Sequence, residues 1–89
     1  MGTSKSYNLG ISNALGVHTA TVNLEAGENI IASVSFSKAI SRAPFMVIVL
    51  DADNAPLEIS WSSNLNGSNY DLTIYSSESQ TNVKIVVLC

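Results

Sequence analysis

With 89 residues the chain fits a single small domain, whose thin core buries only about 60–65% of the surface its unfolded form would expose. Hydrophobic residues make up 46% and charged residues 12%, with a formal net charge of −3. This balance excludes intrinsic disorder, and with only Lys5, Lys38, Arg42 and Lys84 as cations it excludes a phosphate-tracking nucleic-acid binder. Ser, Thr and Asn fill roughly a third of the positions. A single cysteine, Cys89, rules out an internal disulfide, and one histidine rules out a Cys/His zinc site within one chain. Small domains without such staples gain stability from partner chains, so a homo-oligomer is expected.

The first sixteen residues read as an arm. They carry glycines at 2, 10 and 16, lack alternation, and offer Tyr7, Leu9 and Ile11 as apolar groups for docking on another surface. The segment Ser6 to Ser12 is a candidate extra strand. No apolar h-region marks a signal peptide, which predicts a chain made in the cytoplasm and not exported by a cleaved signal if Met1 is native. The longest apolar run, Ala43 to Leu50, is too short to span a membrane as a helix.

From residue 17 onward period-2 alternation dominates. His18, Ala20, Val22 and Leu24 share one face of a first strand. Glu25 to Asn29 reads as a turn, with Gly27 free to take a positive φ. A second strand is expected over Ile30 to Ser37, with Val34 and Phe36 inward. A helical turn fits only between residues 36 and 42. Pro44 breaks pairing, and Phe45 to Leu50 (FMVIVL) reads as a strand covered on both faces.

Asp51 to Pro56 is a turn by residue type. Leu57, Ile59 and Trp61 alternate with polar residues in a fourth strand, and Asn64 to Asn69 is expected to be a loop. Tyr70, Leu72 and Ile74 alternate in a fifth strand, Ser76 to Asn82 is a polar turn, and Val83 to Leu88 is the sixth strand. Evenly spaced short strands with polar turns predict an all-β fold: a small antiparallel β-sandwich of about six strands over 17–89, preceded by the extended arm at 1–16.

The chemistry of an enzyme is missing from the pattern. His18 is the one side chain suited to general base work near neutrality, but it lies mid-strand with no nucleophile elbow or cysteine nearby in sequence, and reads as a half-buried strand histidine. Cys89 reads as a packing residue. Asp51-Ala52-Asp53-Asn54 offers alternating oxygens, but an EF-hand frame would need glycine where Pro56 stands and glutamate where Ser62 stands. Glu25 and Glu28 form a carboxylate pair on a turn. No phosphate loop, dinucleotide fingerprint or zincin motif is present. No cofactor and no metal are expected. Asn66-Gly67-Ser68 is formally a glycosylation sequon and reads equally as a turn. Trp61 has two readings: core packing along the Leu57/Ile59 face, or a stacking platform for a sugar ring together with Tyr70, Asn66 and Asp71.

The stretch from Ile31 to Leu88 resembles the H-type lectin domains found on phage tail fibres and other virion appendages. The resemblance rests on Ala32 to Ser37, Ala39-Ile40, the Ala43-Pro44 step and the apolar strand Met46 to Val49. It continues through Leu57 to Ser62, the Asn-rich turn, Gly67-x-x-Tyr70-x-Leu72-x-Ile74-Tyr75, and a last strand from Val83 to Val87. Members of that family usually close on a tryptophan in the last strand, where this chain has Val86-Val87-Leu88-Cys89, and no sugar-contacting motif carries over residue by residue. The resemblance implies a six-stranded antiparallel sandwich that trimerises, with sugar pockets near subunit interfaces. The expectation is a non-enzymatic structural protein on a virion surface, a decoration or fibre-tip subunit bound to other virion proteins through its arm. The alternative is a lectin module that binds a host-cell glycan.

Overall fold

The computed structural model describes residues 16–89, and the arm residues Tyr7, Leu9 and Ile11, like the candidate strand at 6–12, lie outside them. Six strands form: β1 (Val17–Leu24), β2 (Gly27–Ile31), β3 (Met46–Leu50), β4 (Ser60–Asn66), β5 (Asn69–Ser76) and β6 (Gln80–Leu88). They make two three-stranded antiparallel sheets, ordered β1-β6-β3 and β2-β5-β4. The all-β sandwich expected from the alternation is therefore present.

The register explains the core. His18, Ala20 and Val22 lie opposite Val87, Ile85 and Val83, and Val47 and Val49 lie opposite Val87 and Ile85 from the other side. These side chains point to the interior because side chains alternate across a strand. In the second sheet Ile31 and Ser63 flank Leu72, and Trp61 lies opposite Ile74. Leu72, Ile74, Val83, Ile85 and Val87 are fully buried and form one cluster with Leu24, Ile31, Val49, Phe36 and Ile40. Near Leu24 the β1–β6 register shifts; Asn82 takes φ 53° there and its amide donates to Asn23 Oδ1 at 3.1 Å.

Several expectations need correction. The second strand begins earlier and ends at Ile31, while Ser33–Ser35 forms a single 3-10 turn. Two side-chain hydrogen bonds pull the chain out of the sheet: the Ser33 amide donates to Asp71 Oδ1 at 3.0 Å, and the Ile40 amide donates to Ser33 Oγ at 2.7 Å. Such contacts compete with a ladder. Val34 is consequently 82% exposed rather than inward, while Phe36 is buried as expected. The helical turn thus falls at 33–35 and not between 36 and 42.

The strand expected to be covered on both faces is an edge strand of its sheet, with only one face against the core. The fourth strand starts at Ser60 rather than Leu57 and runs into the predicted loop. Only Gly67 and Ser68 turn the β4–β5 hairpin, Gly67 at φ 69° in the first central position that a type II′ turn gives to glycine. The last turn contracts to residues 77–79 for the same reason: polar residues there pair in the ladder. Leu57 stays extended, its amide donating to the Val49 carbonyl at 2.9 Å along the edge of β3.

Candidate functional site

Two features of the fold carry chemistry that a simple sandwich does not require. The first is the outer face of the β1-β6-β3 sheet. Its rows, read across the strands, are Val17–Leu88–Met46, then Thr19–Val86–Ile48, then Thr21–Lys84–Leu50. Val17 is 51% exposed, Met46 46% and Ile48 40%, and Phe45 beside them is 56% exposed. One end of this sheet therefore presents an apolar surface to solvent. Toward the other end the face turns polar, where the Lys84 ammonium donates to the Asn54 side-chain carbonyl.

The second feature lies on the inner side of that same apolar end. His18 is buried on β1, and its Nδ1 sits 2.8 Å from the Lys38 carbonyl oxygen. A carbonyl only accepts, so Nδ1 carries a proton, and in the neutral ring Nε2 presents its lone pair. Cys89 Sγ lies 3.2 Å from that Nε2 and is itself buried. Gly16 closes over the pair: its amide donates to the Cys89 carbonyl at 2.7 Å and its carbonyl accepts from the Cys89 amide at 3.1 Å. A Cβ built on Gly16 would stand 2.8 Å from Nε2 and 3.6 Å from Sγ, so residue 16 has room for no side chain. Cys89 is buried as a packing residue would be, whereas His18, expected to be half-buried, is almost fully buried. Their juxtaposition has no signal in the sequence, because the sheet order alone brings the ends of β1 and β6 together.

The four residues considered for a sugar platform are divided between two faces. Trp61 and Tyr70 are half-buried and pack against the core. Asn66 and Asp71 lie on the opposite, outer face of the β2-β5-β4 sheet, where Asn66 Nδ2 donates to Asp71 Oδ2 at 3.0 Å. The register places Trp61 opposite Ile74 and Tyr70 opposite Leu65, so the two aromatic rings stand four positions apart along β4. An open groove of about 460 Å³ runs beside Trp61 and is lined by Val47, Leu57, Glu58 and Ile59. It joins one aromatic edge to one carboxylate.

The Asp51 turn is self-satisfied. Asp51 Oδ1 accepts the amides of Asp53 (2.8 Å) and Ala55 (2.9 Å), and Asn54 takes φ 65° at its tip. Among the described residues no group of three or more His, Cys, Asp or Glu side chains could hold a metal ion. Glu25 and Glu28 are both exposed beside the first turn. No helix among the described residues is long and apolar enough to cross a membrane. Comparison with known proteins finds no family model, no curated protein and no solved structure that matches the chain.

Proposed function

We propose that this chain is a non-enzymatic structural subunit that assembles with copies of itself, as a trimer, on the surface of a virion. The observation that carries the assembly is the apolar outer face formed by Val17, Met46 and Ile48. In a chain with so few charges, a contiguous apolar surface next to an edge strand is the kind of patch that protein partners cover. A domain this small gains stability from that burial at about 25 cal/mol per Å² of apolar area removed from water. The trimeric count and the virion setting are supported by the resemblance of Ile31 to Leu88 to appendage domains, and the arm would hold the subunit to other virion proteins.

Analytical ultracentrifugation tests the assembly over a range of concentrations, on the full chain and on a version lacking residues 2–16. A trimer in both locates assembly in the sandwich. A monomer in both removes this proposal.

A second reading, a carbohydrate-binding module for host attachment, is favoured by the exposed Asn66 amide held against Asp71 beside the β4–β5 hairpin. An exposed amide beside a half-buried carboxylate, in fixed relation, suits the hydroxyl pairs of a sugar ring. A glycan array at high protein concentration separates the two: binding that is lost in Asp71→Ala supports attachment, and the absence of binding leaves the structural role.

A further inference from the structure

We propose that Cys89 is an oxidation site, a thiol with His18 as its built-in base, which takes a small uncharged hydroperoxide as its oxidant. The arrangement supplies the three parts that nucleophile activation requires: a sulfur, a base within hydrogen-bond reach, and a third group that orients the base. Sulfur and Nε2 are 3.2 Å apart, and the Lys38 carbonyl holds the far side of the ring at 2.8 Å so that the lone pair faces sulfur. Burial selects the reagent. Cys89 is 8% and His18 4% exposed, which disfavours a bulky or charged reagent.

The step balances as follows. The S–H proton passes to His18 Nε2 as sulfur attacks one peroxide oxygen. An S–O bond forms, the O–O bond breaks, and the departing oxygen takes the proton back from the imidazolium to leave as water or alcohol. Sulfur is oxidised by two electrons to the sulfenic acid and the peroxide is reduced by two. The added oxygen needs space beside sulfur, where the Gly16 backbone is bonded to Cys89 through both its amide and its carbonyl. Oxidation is expected to strain Gly16 and its two backbone hydrogen bonds to Cys89. Cys89 and His18 face inward, so the site stays separate from the apolar outer face.

The test treats the full chain with hydrogen peroxide in the presence of dimedone, which traps sulfenic acid and ignores methionine sulfoxide, and follows the adduct by mass spectrometry. His18→Asn keeps an amide to donate to the Lys38 carbonyl but has no basic nitrogen facing sulfur. Trapping at least about tenfold slower in this variant supports the proposal, since a positioned base contributes typically ~10²–10⁴. Equal or faster trapping in His18→Asn overturns it, because sulfur exposure alone then governs the rate. So does a wild-type chain that forms no adduct. If circular dichroism shows that His18→Asn is unfolded, the native wild type is compared with its own guanidinium-unfolded state at pH 6. Faster trapping in the native state supports a base-assisted thiol, and slower trapping overturns it.

Discussion

Cys89 Sγ and His18 Nε2 meet at 3.2 Å across 71 positions of sequence, a side-chain contact added where the ladder already pairs the end of β6 with the start of β1. Through Nδ1 the same ring also holds the Lys38 carbonyl, and so the long segment between β2 and β3. One buried imidazole thus fixes three separate parts of the chain. Just outside it, Val17, Leu88 and Met46 form the apolar end row of the sheet.

Replacing His18 by Ala removes both hydrogen bonds and leaves a cavity beside the core. The expected loss is about 2–4 kcal/mol of unfolding free energy, combining lost packing with the loss of the hydrogen bond to the Lys38 carbonyl. Urea denaturation monitored by Trp61 fluorescence reads it directly. A loss under about 0.5 kcal/mol would show that the ring contributes little to holding these elements.

Two glycines separate steric crowding from backbone conformation. Gly16→Ala places a methyl group 2.8 Å from Nε2, and its cost should reach about 1–3 kcal/mol as the His18 ring is pushed off Cys89. Gly67→Ala meets nothing within 4 Å, yet φ 69° is unfavourable for a side chain, so about 1–2 kcal/mol is expected from strain alone. In the double variant Gly16→Ala/His18→Ala the steric part of the Gly16 effect should vanish. Thermal denaturation of the four proteins, wild type included, provides the comparison.

Asp71 joins two elements with one carboxylate, accepting the Ser33 amide through Oδ1 and the Asn66 amide through Oδ2. Asp71→Ala should cost about 1–3 kcal/mol and raise amide hydrogen exchange at Ser33 and Ile40 together, because the 3-10 turn loses its anchor to β5. Asp71→Asn, which keeps one acceptor oxygen, should recover part of the loss. Exchange unchanged at Ser33 would mean that the turn is held by other contacts.

The strand count and the inward residues were legible because alternation is strong wherever one face is buried. Leu72, Ile74, Val83, Ile85 and Val87 all fall where the period-2 pattern puts them. The boundaries were less so. Ser33 sits in a sequence that alternates like a strand, and only a long-range bond to Asp71 diverts it. Polar hairpin residues such as Asn66 and Asn69 read as loop by composition, yet they pair in the ladder.

The apolar run at β3 misleads for a different reason. Residue type alone does not distinguish a side chain buried within the fold from one that forms an exposed apolar surface, so Met46 and Ile48 read as doubly covered. Of the candidate sites, the composition of the polar face was legible, but its division was not. Tyr70 and Asp71 are consecutive and must point to opposite faces of the sheet. The His18–Cys89 pair follows from sheet order, which no local pattern encodes.

Self-assembly through the outer face of the β1-β6-β3 sheet is the central claim, and size-exclusion chromatography with light scattering tests it most directly. The full wild-type chain is compared with Met46→Lys/Ile48→Lys, whose two exposed positions tolerate lysine without disturbing the core. The account predicts three times the monomer mass for the wild type and a folded monomer for the double variant. A wild-type chain that stays monomeric at high concentration, or a double variant that keeps the wild-type mass, would contradict it.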